Sequence, residues 1–376
     1  MVDNLISILI LIREVLNLLL SWILSITEII SVILSNLLSE LYLNLKFVKI
    51  SNTVLNSLIL MIISCLIYYV VRNMGGTKAK QKLYKKCRTE IEKLIDKKNC
   101  HPIMLRLSWS DAATFDETVR SWPECGGCNG SIRFDQELDD KLNAGLAKAI
   151  AMLEPTKERY PTISWADLIQ MAGAIAVEKA GGPKINMIYG RLDAKEGEKI
   201  FTNRAELPCP VAPFPDGAPS AEVHIRNIFY RMGFTNREIV ALCGAHTLGR
   251  AFEDRTNVCK NSSGSQGATK YTRLNYIARG DKKTGIGIAG GCSWTKNWLQ
   301  FDNSYFRRIY EDAHDPDLLW LPTDRALYEC PEFRRYYEIY ARNEEAFRED
   351  YAKAHVKMSS LGAKFGKNQS FQIDEE

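Results

Sequence analysis

Histidine, cysteine and arginine side chains bind metals, act as nucleophiles or move and stabilise charge near neutral pH, so they show where chemistry can occur. The chain has 5 histidines and 10 cysteines. Cys125 and Cys128 form a CGGC pair, preceded by Pro123-Glu124 and followed by Asn129. Covalent haem attachment would need a histidine where Asn129 stands, and a zinc site would need a second CxxC, which the chain lacks. The pair reads as two free thiols in a glycine-rich surface loop, with a redox-sensitive disulfide or a metal pair as alternatives. His246 lies in the run CGAHTLGR. A lone histidine on an apolar helix is usually a core residue, so its surroundings must decide. Arg255 sits in a charged EDR triplet, where a solvated surface group is the plain expectation. Arg106, Trp109 and Ser110 fall in PIMLRLSWSDAATF, a largely apolar helix opened by Pro102.

The elements that must position these residues belong to a chain with two unlike parts. Its 376 residues are 46% apolar and 25% charged, an ordinary globular balance with enough length for a sizeable core. A net charge of +4 without any basic-aromatic pattern excludes nucleic acid as a partner. Ten cysteines over this length do not make a disulfide scaffold. Residues 1–74 are dominated by Leu, Ile and Val, and within them residues 54–71 (VLNSLILMIISCLIYYVV) carry no charge. That stretch is about long enough to cross a ~30 Å hydrocarbon core. Tyr68 and Tyr69 suit an interface, and the lysine-rich run of 78–98 follows, which keeps the folded part on the matrix, stroma or cytosol side. No Gly or Pro precedes Gly75, so helix is the natural state of this segment. Residues 4–46, interrupted by Arg13, Glu14, Glu28 and Glu40, fit one long interfacial helix, two imperfect spans, or helices packed inside a larger complex. The expected layout is hydrophobic membrane-anchoring helices over 1–74, a linker at 75–78, a folded domain over 79–365 and a tail at 366–376.

Within that domain helical periodicity dominates. It predicts helices over 80–98, with Leu83, Cys87, Ile91 and Leu94 on one stripe, and over 102–115, 137–153, 165–179, 236–242, 322–328, 331–341 and 344–357. Strand signals are few and short, so the fold class is all-α. Residues 206–219 are Pro-rich and residues 260–293 are rich in Gly, Ser, Lys and Thr; both read as surface excursions.

Taken together and in order, several stretches resemble class I haem peroxidases, the ascorbate and cytochrome c peroxidase group. YKKCRTEIEKLIDKKNCHPIMLRLSW at 84–109 is similar to the first two helices of that family. SWADLIQMAGAIAVEKAGGPKINMIYGRLDA at 164–194 is similar to its middle helix and the Gly-Arg turn beyond it, and IVALCGAHTLGR at 239–250 to the helix bearing its iron ligand. WTKNWLQFDNSYF at 294–306 and LPTDRAL at 321–327 complete that side. The resemblance implies a two-lobed plant-type peroxidase fold with haem b between distal and proximal halves. It implies His246 as iron ligand, Asp324 as the carboxylate on its other ring nitrogen and Trp294 as the indole stacked beside it. A carboxylate partner would fix the imidazole and raise its basicity. Thr247, Thr295, Asn297 and Asp302 match the positions at which ascorbate peroxidases hold a monovalent cation, here potassium, whose charge would disfavour an indole cation radical on Trp294. Arg255 falls where ascorbate peroxidases hold ascorbate.

The distal half departs from the pattern. The family presents Arg, then Trp, then His; here Arg106 and Trp109 are followed by Ser110. In the family that His takes a proton from hydrogen peroxide while the Arg stabilises developing negative charge. A serine hydroxyl is a very poor base, and losing a positioned base costs ~10²–10⁴ in rate. Asn143 matches the asparagine that supports the missing His. His101, nine residues earlier, is roughly 13 Å away along a helix, and Asp111 points ~100° from Ser110. The expected function is therefore a membrane-anchored haem protein that reduces hydrogen peroxide with ascorbate or cytochrome c, impaired by Ser110. Alternatives are an inactive pseudoperoxidase serving as a subunit of a membrane electron-transport complex, and a haem-based ligand sensor. The expected location is an organelle membrane, the mitochondrial inner membrane ahead of the thylakoid, with the domain on the matrix or stroma side.

Overall fold

The computed structural model describes residues 78–200, 207–252, 267–280, 289–366 and 370–373, together with Met61 and Ser64. The remainder of the apolar stretch 54–71, residues 4–46 and Arg255 lie outside the described residues. Among the described residues no helix is long and apolar enough to cross a membrane. The chain divides into Met1–Met74 and Gly75–Glu376, and nearly all of the described residues belong to the second unit.

That unit is built of helices. α1 covers residues 78–98 and buries Tyr84, Cys87, Ile91 and Ile95. Cys87 and Ile91 of the expected stripe are buried, while Tyr84 and Ile95 take the places expected of Leu83 and Leu94, which flank the stripe half-buried. α2, His101–Ala112, follows with Pro102 in its first turn, where a missing N–H costs nothing. The single helix expected over 137–153 is broken. A one-turn helix Asp135–Leu138 and a 3-10 turn Lys141–Asn143 come first, and the longer α3, Ala147–Arg159, starts only after Gly145, whose φ of 86° cannot continue a helix. α4, Trp165–Lys179, matches its expected bounds because both ends are encoded. The Ser164 hydroxyl accepts from Asp167 N, and Gly181 at φ 90° ends it. α4 is buried along nearly its whole length and packs closely on α2.

The second half holds α5 (Ala221–Arg231), α6 (Asn236–Cys243), α7 (Ser304–Glu311), α8 (Pro322–Glu329), α9 (Pro331–Arg342) and α10 (Glu344–Met358). α5 and α7 are helices that the periodicity reading did not single out. α6 begins in a capping box between Thr235 and Glu238 and packs against α9 and α10. Its last turn tightens into a 3-10 segment, Gly244–Thr247, where a side chain on Gly244 would run into the Phe306 and Phe347 rings. Two residues of antiparallel sheet follow, with β1 (Arg250–Ala251) paired to β2 (Cys292–Ser293). This short ladder closes the long excursion and returns the chain beside the 3-10 turn just before Trp294.

Two polar fasteners tie loops to this frame. Asp167 and Arg191, both fully buried, pair at 2.8 Å, and Arg191 also donates to Ser359 O at the end of α10. His224 on α5 holds Asp216 through Nδ1 at 2.8 Å and accepts Cys209 N at 2.9 Å, which pins the Pro-rich loop. The CGGC segment is not a surface loop. Cys125 and Cys128 are buried and unlinked, and Cys128 Sγ donates to Met358 O at 3.2 Å.

The α2–α4 contact makes a test of the frame. A side chain on Gly173 would run into Ser108, which is fully buried and bonded to Leu105 O. Gly173→Ala should destabilise by about 1–3 kcal/mol in denaturant melts, and Ser108→Gly should restore part of that loss. An unchanged midpoint in Gly173→Ala would show that the two helices are not so tightly fitted.

Candidate active site

The site grows from one carboxylate. Asp324 is the third residue of α8, after Pro322, and turns back to accept Leu321 N at 2.9 Å. The same carboxylate accepts His246 Nδ1 at 2.8 Å, Trp294 Nε1 at 2.7 Å and the Tyr305 hydroxyl at 2.8 Å. It is 1% exposed. Burial alone would push this carboxyl up, but His246 and the backbone and hydroxyl donors outweigh burial and hold it below the usual carboxylate range. As the ionised acceptor it fixes the tautomer of His246: Nδ1 carries the proton and Nε2 presents its lone pair.

His246 is held on its other sides by rings. Trp294 stacks on it with centroids 4.3 Å apart and planes 14° from parallel, and Tyr305 meets it edge-on at 5.8 Å. The His246 side chain is nevertheless 36% exposed, although its carboxylate partner and both rings are buried. An imidazole oriented through Nδ1 by a buried carboxylate and still partly exposed is the kind of donor that haem iron requires, so these residues fit that group.

The expected cation residues also converge. The Thr247 hydroxyl lies 3.1 Å from Asp302 Oδ1, and Thr295 Oγ1 donates to Thr247 O at 2.9 Å. Asp302 Oδ1 further accepts Ser304 N at 2.9 Å. Asn297 makes a local turn, its carbonyl accepting Gln300 N at 2.7 Å, and this bond does not place it against the other three.

On the other side, α2 places Arg106 and Ser110 one turn apart, and residues four apart share a helix face. Arg106 donates to Leu142 O at 2.6 Å and Ala144 O at 2.9 Å, so its guanidinium clasps the turn that carries Asn143. Asn143 is buried and its Nδ2 donates to Glu137 O at 3.0 Å, which leaves its amide oxygen as the group a neighbouring N–H could use. Trp109 packs on Phe229 of α5 at 5.2 Å, and Arg231 from the same helix donates to Ala113 O at 2.7 Å, so α5 sets the end of α2. Ser110 is half-buried. Asp111 turns the other way, as helix geometry requires: its Oδ2 lies 3.3 Å from both Gly130 N and Gln170 Nε2. Burial, aided by the charge of Glu137, pushes its carboxyl up to about 8.

The structure thus ties Arg106, on the helix of Trp109 and Ser110, to the turn that carries Asn143, and separately joins His246, Asp324 and Trp294 in one cluster and Thr247, Thr295 and Asp302 in another. Arg255, expected at the donor site, lies outside the described residues. Tyr305 is the residue that sequence reasoning missed; it stands in the FDNSYF run, but only its bond to Asp324 gives it a place in the site.

The peroxidase family model matches residues 87–343. Probable L-ascorbate peroxidase 7, chloroplastic, of Oryza sativa subsp. japonica is 48% identical over 291 residues, covering 77% of this chain and 74% of that protein. L-ascorbate peroxidase T, chloroplastic, of Arabidopsis thaliana is 49% identical over 287 residues, covering 76% of this chain and 61% of that protein. Probable L-ascorbate peroxidase 3, peroxisomal, of Oryza sativa subsp. japonica is 42% identical over 277 residues, covering 74% and 78%.

Two titrations follow from these environments. Asp324→Ala leaves the His246, Trp294 and Tyr305 donors without their shared acceptor and should cost about 3–5 kcal/mol at neutral pH. Because the folded carboxyl lies below its unfolded value, that stability is present above pH ~4 and is lost as pH falls further. The gap between wild type and variant in urea melts should therefore close in acid; a gap that persists there would sink the assignment. Asp111 has the opposite sign. Its raised carboxyl means that stability falls as pH rises from ~4 towards 8. Asp111→Asn should melt higher than wild type at pH 8 and lose that advantage at pH 4. Parallel curves would mean that Asp111 does not titrate in this window.

Proposed function

Since the chain belongs to the haem peroxidase family, in its class I branch, we propose that it is a membrane-anchored haem b protein that reduces hydrogen peroxide with ascorbate as donor, slowly because Ser110 stands where a proton acceptor is needed. The observation that carries this reading is the buried Asp324 carboxylate, which holds His246, Trp294 and Tyr305 together in one cluster.

Bound haem supplies the redox centre that accepts the oxidising equivalents of peroxide. This chain's residues supply the rest. His246 Nε2 would ligate the iron, and Asp324 holds the ring in place and strengthens it as a donor. Arg106 brings fixed positive charge to the distal face, where negative charge develops as the O–O bond breaks. Asn143, set by Glu137 O, presents its amide oxygen where a distal imidazole N–H would need an acceptor. Ser110 can accept no proton near neutral pH, and Asp111 cannot substitute because it is buried on the opposite face, bonded to Gly130 and Gln170. The proton must travel by a poorer route, which slows the first step without removing the haem site.

The Thr247, Thr295 and Asp302 cluster supports the cation reading, with potassium as the ion. Membrane anchoring is supported by the uncharged run of 54–71 and the basic stretch after it. An organelle location is kept. The relatives reported above are named chloroplastic or peroxisomal, so a plastid is proposed in place of the mitochondrial preference.

Restoring the base tests the mechanism. In stopped-flow mixing of the haem-loaded protein with peroxide, Ser110→His should raise the bimolecular rate about 10²–10⁴-fold. If Ser110→His binds haem and reacts no faster, the peroxidase reading fails, and the accessory pseudoperoxidase reading, which rests on the same Ser110, takes its place.

A further inference from the structure

The proximal half contains a line of tyrosine rings leading away from His246. Tyr305, edge-on to His246 at 5.8 Å, lies 6.1 Å from Tyr337, and Tyr337 lies 5.6 Å from Tyr328. Tyr305 and Tyr337 are buried, whereas Tyr328 is half-buried and reaches the surface. Arg334 places its guanidinium 4.5 Å over the Tyr328 ring, and exposed Arg325 sits one turn earlier on the same helix. Trp294 stacks on His246 but meets no further ring among the described residues. Of the two rings that share Asp324 with His246, only Tyr305 leads outward.

We propose that Tyr328 is a surface oxidation site connected to His246 through Tyr305 and Tyr337, serving an anionic phenol or enediol donor that gives up one electron without entering a buried pocket. This rests on the haem reading above. Tunnelling falls steeply with distance, and each ring-to-ring gap here is that of packed neighbours.

The steps balance with hydrogen peroxide as oxidant. Its reduction to two waters takes two electrons and two protons, so two donor molecules each surrender one of each. Tyr305 releases one electron towards the proximal side, and its hydroxyl proton passes to the Asp324 oxygen that already accepts it at 2.8 Å. An electron from Tyr328 then restores Tyr305 as that proton returns, and the Tyr328 proton goes to water. The donor gives Tyr328 an electron and a proton. Tyr337 is the bridging ring and is not itself oxidised, because its hydroxyl donates to the Tyr305 carbonyl at 3.0 Å, and a carbonyl is a very poor proton acceptor.

The test bypasses Ser110. The full chain is loaded with zinc protoporphyrin, which is photo-oxidised by a flash with a cobalt(III) pentaammine acceptor, and a nitroso spin trap marks tyrosyl radicals for peptide mapping. The expected adduct is on Tyr328, lost in Tyr328→Phe and in Tyr337→Leu but retained in Tyr337→Phe, with the porphyrin absorption spectrum unchanged in all three. Porphyrin oxidation with no Tyr328 adduct, or an adduct that survives in Tyr337→Leu, overturns the tyrosine path alone. Failure to take up zinc protoporphyrin overturns the haem reading beneath it.

Discussion

A carboxylate buried to 1% exposure is tolerable only when its lone pairs are filled, and Asp324 fills them from four separate places in the chain. Leu321 N comes from its own helix start, Tyr305 from α7, Trp294 from the strand return after β2 and His246 from the 3-10 turn after α6. Each donor lies on an element whose position must be correct to within a hydrogen-bond length. The capping box of α6, the absence of a side chain on Gly244 against Phe306 and Phe347, and the two-residue ladder before Trp294 all serve that convergence. The folding cost of this charge and the chemistry of the imidazole are therefore set by the same four bonds.

The distal side is organised differently. Arg106 donates to the carbonyls of Leu142 and Ala144, so the turn that carries Asn143 and the helix that carries Ser110 form one unit. α5 braces that unit from outside through Phe229 and Arg231. Nothing in this support depends on which side chain occupies position 110. A replacement there changes the chemistry while leaving the scaffold able to form.

Much of this was legible in the sequence, and unevenly for physical reasons. Trp165–Lys179 could be read to its ends because Ser164 and Gly181 encode both. The break between 137 and 147 was not, since apolar spacing runs on through Gly145 and only its left-handed backbone reveals the stop. α5 escaped notice behind a Pro-rich loop, although Ser220 caps it and Ile225, Ile228 and Phe229 repeat at helical spacing. The CGGC loop read as surface because glycine usually marks turns. Here Gly126 and Gly127 instead let backbone pack against Thr114 and Leu361 and carry both thiols inside. His246 was ambiguous by type, and the partners that define it lie far away in sequence.

Asp111 does not share the helix face that carries Arg106 and Ser110. Position 111 advances ~100° around α2, which turns Asp111 from the Arg106 face towards Gly130 and Gln170. There its carboxyl is pushed up to about 8, chiefly by burial. A carboxyl held at that value by burial is largely protonated near neutral pH, so its orientation and its protonation both keep it from accepting a proton on the Arg106 face. Turning it inward would require rewinding α2 by more than a quarter turn against α4, where Gly173 and Ser108 already fit without space to spare. The tight helix packing that preserves the Arg106 and Asn143 arrangement is the same constraint that holds Asp111 away from the Arg106 face.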